Sequence, residues 1–144
     1  MKNSMEIKFK AIAENEAFAR NVVASFVLPL NPTLDELTDI KTAVSEAVTN
    51  VVVHAYPNST GHIIMKVITN DNKVAISISD NGIGIQDIER ALTPFYTSKP
   101  DEERSGMGFT VMESFMDKLE VKNNKDGLTV KMLKEIEQKD VVGL

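Results

Sequence analysis

The chain has 144 residues and no cysteine, with 42% hydrophobic and 26% charged residues and a formal net charge of −5. That length suits one domain with a substantial core, and the lack of cysteine excludes a disulfide framework and thiolate chemistry. An acidic balance without a basic block disfavours nucleic acid or a membrane surface as a partner, no apolar run approaches the ~20 residues of a membrane span, and MKNSMEIKFK lacks the apolar core of a signal peptide. The chain therefore reads as a soluble cytosolic protein.

Met5 to Ile12 alternates apolar and polar, with Met5, Ile7 and Phe9 on one face, which predicts a half-buried strand. Glu14 to Leu28 predicts a helix whose apolar side carries Phe18, Val22 and Phe26, with Arg20 off that stripe. Pro29 and Pro32 break the chain. Thr33 then stands three residues before Glu36, a capping-box spacing that starts a long helix. The stretch Thr38 to Tyr56 reads as its continuation, and Glu46, Asn50 and His54 recur every four residues along it. On a 3.6-residue helix these stack on one face. Ile40, Ala43, Val44, Ala47, Val48 and Val51 suit packing against a sheet. A carboxylate on so buried a helix costs several kcal/mol unless a partner or a ligand cavity satisfies it, about the size of other unpaired buried charges.

Residues 57–61 (PNSTG) predict a turn, and the alternating runs His62 to Thr69 and Lys73 to Ser79 predict a hairpin across Asn70-Asp71-Asn72. Val74, Ile76 and Ile78 face one way, and Ala75, Ser77 and Ser79 the other. After Asp80-Asn81-Gly82-Ile83-Gly84, a short helix is expected over Ile85 to Leu92. Thr93 to Ser105 has two prolines, mixed charge and no period, and reads as a mobile loop. Gly106-Met107-Gly108 leads into helical spacing over Phe109 to Met116. Leu119 to Asn123 and Leu128 to Ile136 predict two further strands, and the tail after Gln138 is expected to fray. The expected architecture is an α+β two-layer sandwich. Its sheet is mixed, mostly antiparallel, with about five strands, and the helices gather on one face.

Three stretches bear chemistry. Asp80 with Gly82 and Gly84 is either a tight turn or a carboxylate that accepts a hydrogen bond from an exocyclic amine such as adenine's, with glycines that let backbone and ligand approach. Gly106 and Gly108 before a helix form either a hinge or a phosphate cradle at the positive helix end. Lys99 and Arg104 in the preceding loop are either surface charge or phosphate contacts. Glu46 and Asn50 are either a satisfied buried pair, or a general base beside a neutral oxygen for Mg²⁺. His54 reads as structural.

The joint order of these motifs is more specific than any one of them. Glu46-x-x-x-Asn50, Asp80-x-Gly82-x-Gly84, a loop ending in Gly106-x-Gly108, and Thr129 on a late strand resemble the GHKL superfamily, which includes gyrase, histidine kinases and MutL. SEAVTNVVVHAYP, TPFYTSKP and ERSGMGFTVMESFMD resemble, more closely, the small anti-sigma factor serine kinases. The resemblance covers essentially the whole chain. It implies the Bergerat ATP-binding fold as one domain over residues 1–144, with an ATP lid at about 93–105. It implies ATP or ADP with Mg²⁺ as ligands, Glu46 as catalytic base and Asn50 as Mg²⁺ holder. Asp80, Gly82 and Gly84 then read adenine, assisted by Thr129. Lys99, Arg104, Ser105, Gly106, Met107 and Gly108 surround the phosphates. Relatives often carry Gly-Thr where this chain has Gly127-Leu128-Thr129.

The implied function is a homodimeric protein that binds and inhibits a sporulation sigma factor and phosphorylates a serine of an anti-anti-sigma protein, without direct nucleic-acid or membrane partners. The other reading is a nucleotide-gated sigma-binding module with little or no kinase activity. The ATP-binding half of a histidine kinase would need a phosphoaccepting helical hairpin, and a gyrase- or MutL-like ATPase a transducer domain. Arg20 is the candidate for partner docking, because it lies off the apolar stripe of the first helix.

Overall fold

In the computed structural model, which describes residues 1–93 and 108–137, five strands form a sheet: β1 (Lys2–Lys10), β2 (His62–Asn70), β3 (Lys73–Asp80), β4 (Lys118–Asn123) and β5 (Leu128–Glu135). Their order is β1-β2-β3-β5-β4. All four pairings are antiparallel, so the sheet contains no parallel pair among the described residues.

Alternation sets the two faces. Met5, Ile7 and Phe9 pair with Val67, Met65 and Ile63. These pair in turn with Ile76, Ile78 and Asp80. On β5, Val130 and Met132 continue the inner rows. The inner face is covered by α1 (Asn15–Val27), α2 (Leu34–Asn50) and α4 (Gly108–Phe115), while α3 (Ile88–Ala91) is a single turn. α2 packs against both α1 and α4. Ile40, Ala43, Val44, Ala47 and Val48 of α2 are fully buried with Val23 and Val27 of α1, Met112 of α4 and the inner sheet residues. Each fully buried aliphatic side chain of this size contributes about 1.5–3 kcal/mol. Phe18 is half exposed on α1, but its ring meets Phe9 edge-on at a centroid distance of 6.1 Å, which ties α1 to the edge strand.

The helix starts as its sequence predicts. Thr33 Oγ1 accepts from the Glu36 N–H (3.0 Å), and Glu36 Oε1 accepts from the Thr33 N–H (2.8 Å), a complete capping box. It ends differently. The α-helix stops at Asn50, and Val51–Ala55 closes it as one π-helical turn. Glu46 and Asn50 therefore share an α-helical face, while His54 is carried by a wider turn out of their line.

Other boundaries shift for local reasons. β1 begins at Lys2 rather than Met5, because ladder pairing runs from Lys2↔Asn70 to Lys10↔His62 and recruits polar residues that have no apolar alternation. Ala11 leaves the ladder and donates its N–H to Gly61 O (2.9 Å). The hairpin between β2 and β3 turns on Asp71, which takes φ 55°. The short helix begins only at Ile88, capped by Asp87, whose Oδ1 accepts from the Arg90 N–H at 3.1 Å. The expected lid over 93–105, apart from Thr93, and the tail after Gln138 lie outside the described residues. No helix among the described residues is long and apolar enough to cross a membrane.

Candidate functional site

Alternation along β3 places Asp80 after Val74, Ile76 and Ile78 on the inner face, at the strand's end, where it is 5% exposed. Its Oδ1 accepts from the Gly82 N–H (2.8 Å), and the carboxylate also accepts from the Leu128 N–H. Burial pushes its pKa up, and the two backbone donors only partly offset that. A carboxylate held in this way has free lone pairs and a strong need for a further donor.

The Asp80 loop is fastened to the end of α2. The Ile83 N–H donates to Ala55 O (2.9 Å), and a Cβ on Gly82 would come within 2.1 Å of the same oxygen. Gly82 is thus needed for close backbone approach. On the other side of α2, Asn50 is half buried, and a Cβ on Gly108 would stand 3.1 Å from both amide atoms of Asn50. Gly108 is buried and is the first described residue of α4, so that end of the helix lies beside Asn50. Glu46 is half buried one turn earlier on the same face of α2. The structure therefore brings Glu46, Asn50, Asp80, Gly82 and Gly108 to one end of the sandwich. Gly84 turns the loop at φ 70°.

Thr129 is not among them. It pairs with Ser79, whose Oγ is 2.9 Å from Thr129 Oγ1, on the outer face of the sheet. Strand alternation puts the buried Leu128 on the inner face with Val130 and Met132, next to Asp80. The departure Gly127-Leu128-Thr129 leaves an aliphatic side chain at that place.

Two residues have contacts at this site that the sequence reading did not foresee. Gly127 takes φ 94°, and a Cβ there would lie 1.9 Å from Asp80 O, so the β4–β5 turn rests directly on the backbone of the Asp80 loop. Tyr56 donates its hydroxyl to His62 O (2.7 Å) and accepts from the Asn81 N–H (2.9 Å). Its ring fills the place of any side chain at Gly61. A glycine after an Asp in a turn was the one available signal for the first. Nothing local marked the second.

Arg20 lies on α1, apart from this site, with 36% of its side chain exposed. Nη1 donates to both carboxylate oxygens of Glu16, at 2.5 and 2.6 Å. Burial would raise the Glu16 pKa, but hydrogen bonds from Ser45 and Arg20, and the Arg20 charge, hold it below the usual value. Lys99, Arg104, Ser105, Gly106 and Met107 lie outside the described residues.

Residues 9–134 match the family model described as a histidine kinase-like ATPase domain. Among curated proteins, the chain is 54% identical over 125 residues to an anti-sigma F factor of Clostridium acetobutylicum, covering 87% of each chain. It is 50% identical over 144 residues to an anti-sigma F factor of Oceanobacillus iheyensis, covering 99% of each. Among solved structures, the RsbU and RsbW domains of a Mycobacterium tuberculosis protein superpose with a TM-score of 0.70 at 18% identity, over 95% of this chain and 33% of that one. The catalytic domain of the histidine kinase ThkA superposes with a TM-score of 0.59 at 18% identity, over 92% of this chain and 96% of that one. The architecture is thus the Bergerat ATP-binding fold.

The site geometry makes one direct prediction. In a carbon-detected NMR titration of the free protein, the Asp80 carboxyl should titrate above the ordinary aspartate range, because burial disfavours its charge. A midpoint at or below the ordinary aspartate value would show that the carboxylate is better solvated than its position implies.

Proposed function

The chain belongs to the histidine kinase-like ATPase family, and we propose that it is an anti-sigma factor that also acts as a protein serine kinase. In this reading it inhibits a sporulation sigma factor and uses Mg-ATP to phosphorylate a serine of an anti-anti-sigma protein. The observation that carries the reading is one junction. A buried helix presents Glu46 and Asn50, Asn50 abuts the glycine that opens α4, and the same helix end holds the loop of buried Asp80. Identities of 50–54% to proteins named anti-sigma F factor support it.

The residues fit such a ligand. Asp80 is a buried acceptor, Leu128 gives its surroundings an aliphatic wall, and Gly108 keeps the helix start clear of side-chain bulk. Mg-ATP, when bound, supplies the phosphoryl group and a cation that offsets its charge. Asp80 accepts from the exocyclic amine of adenine. That competence is full above its raised pKa and is lost as pH falls through it. Asn50 would hold Mg²⁺ through a neutral amide oxygen, and the cation would offset phosphate charge. Glu46 would accept the proton of the serine hydroxyl as that oxygen bonds to the γ-phosphorus and the bond to the departing ADP breaks. Backbone N–H groups at the start of α4 face the developing charge. The reading assigns Lys99, Arg104, Ser105, Gly106 and Met107 to the phosphate side on sequence alone.

Radiolabelled ATP with the anti-anti-sigma protein tests the reading, and the parent should give phosphoserine. Glu46→Gln should keep nucleotide binding and sigma capture while transfer falls roughly 10²–10⁴-fold. Transfer near the parental rate would leave Glu46 a structural residue. A parent that captures the sigma factor but never transfers label would favour the nucleotide-gated module.

Arg20 serves partner docking in this reading. Glu16 fixes the guanidinium from one side, and Ser45 fixes Glu16, so the group is presented in one orientation with little entropy left to lose. Arg20→Glu should slow association with a protein partner and flatten its salt dependence. Unchanged association rates for both the sigma factor and the anti-anti-sigma protein would remove this helix face from the docking surface.

The outer sheet face suits a second copy of the chain. Ala75, Ser77 and Ser79 run along its middle, flanked by half-buried Ile64, Ile68 and Leu133. Glu6 pairs across strands with Lys66, and Glu120 with Lys131, so the facing charges are already offset. Small central side chains allow two sheets to approach closely. By sedimentation the parent should be a dimer and Ser77→Arg a monomer. A variant that sediments as the parent does would place any dimer contact elsewhere.

A further inference from the structure

We infer that Asn123, at the exposed end of β4, is a positioning residue for Asp80, an inference that rests on the nucleotide-site reading above. After β3 ends, the loop toward α3 has no ladder partner of its own. Asn123 supplies one with its side chain. Its Oδ1 accepts from the Ile85 N–H (2.9 Å), and its Nδ2 donates to Ile85 O (2.6 Å). A side-chain amide carries one acceptor and a donor in the arrangement of a peptide group, so Asn123 stands in for one rung of a sheet. The loop is shaped around it. Gly84 takes φ 70°, and a Cβ there would come 2.6 Å from Asn123 Oδ1.

The same β4–β5 turn holds the other end of the loop. Gly127 rests against Asp80 O and Asn81 Cα. The turn is closed by the Asn124 N–H on Gly127 O (3.0 Å). Asn124 Nδ2 donates to Thr129 Oγ1 (2.7 Å), which shares a hydrogen bond with Ser79 Oγ (2.9 Å), the residue before Asp80. Between these two anchorages lies the bond from the Gly82 N–H to Asp80 Oδ1. Releasing Ile85 leaves the segment that carries Gly82 held by the Asn81 N–H on the Tyr56 hydroxyl and the Ile83 N–H on Ala55 O, and loosens the orientation of the carboxylate without freeing it. Asn123 thus acts on the base-reading group through Ile85, Gly84 and Gly82 without touching the ligand. A loop ordered before binding loses less entropy on binding.

The position of the brace dictates which measurements move. It bears on the base and not on the phosphates, so Asn123→Ala should raise the Kd for ATP, ADP and adenosine by one common factor. Two hydrogen bonds of ordinary strength correspond to about tenfold. With the serine substrate, KM for ATP should rise while kcat at saturating ATP holds. Amide exchange at residues 82–85 should quicken in the free protein. Asn123→Asp, which keeps the acceptor for the Ile85 N–H and loses the donor, should fall between parent and Asn123→Ala. Thr129→Val, which cuts the bond to Ser79, should give a smaller common loss and serves if Asn123→Ala does not fold. Unchanged adenosine affinity despite faster exchange would make Asn123 a structural clamp only. A loss confined to ATP would put its effect at the phosphates. Either result overturns the inference while leaving the site intact. A parent that binds no adenine compound would overturn the site reading itself, and this inference with it.

Discussion

The carbonyl of Ala55 accepts a hydrogen bond from the Ile83 N–H, and that contact joins the two halves of the candidate site. Glu46 and Asn50 belong to a helix and Asp80 to a strand, so no local rule fixes their separation. The π turn does so. It carries the chain past Asn50 on a wider path and delivers the Ala55 carbonyl to the Asp80 loop. Only a glycine at position 82 lets that oxygen approach. One backbone hydrogen bond is worth about 0.5–1.5 kcal/mol net. Its weight here lies in register, because it couples a helix end to a strand end that packing alone would leave free to slide.

Burial of Asp80 makes sense against this frame. Desolvating a carboxylate is expensive, and two backbone donors recover part of that cost. The remaining acceptor capacity gains most from a ligand donor that arrives in the same low-dielectric setting. The fold thus keeps an under-satisfied acid at the end of a strand whose other inner residues, Val74, Ile76 and Ile78, are aliphatic. In the proposed reading, the stability this gives up in the free state is offset when a ligand amine donates to the carboxylate.

How much of this the sequence disclosed depends on the range of the forces involved. Alternation on β2 and β3 and the Thr33–Glu36 capping box are local, and they predicted both the faces and the helix start. The inner position of Asp80 follows from the period of Val74, Ile76 and Ile78. The same rule could have placed Thr129 outside, since Leu128, Val130 and Met132 form the apolar row. The π turn and the conformation of Gly127 depend on tertiary contacts with Gly82 and Asp80, which no window of sequence displays. Asn123 was assigned only as the end of a strand because its partner, Ile85, is remote in the chain.

The distribution of anchors also bears on how such a site can tell its ligands apart. Tyr56, Ala55, Gly127 and Asn123 hold the base-reading loop from several sides. A loop so fixed meets ATP and ADP in the same way, and a ligand shifts a conformational equilibrium only through differential affinity. In the proposed reading, discrimination of the third phosphate therefore falls on the other side of α2, where Asn50 meets the first residue of α4. That side is also the better connected to the docking face. Ser45, next to Glu46 on α2, hydrogen-bonds Glu16, and Glu16 holds Arg20. A displacement of α2 at that end would reach α1 through their packed interface as well as through the Ser45–Glu16 contact, whereas the Asp80 loop has no hydrogen bond to α1 among the described ones. In the proposed reading, the fold thus separates a braced loop at Asp80 from a helix whose contacts lead to Glu16 and Arg20.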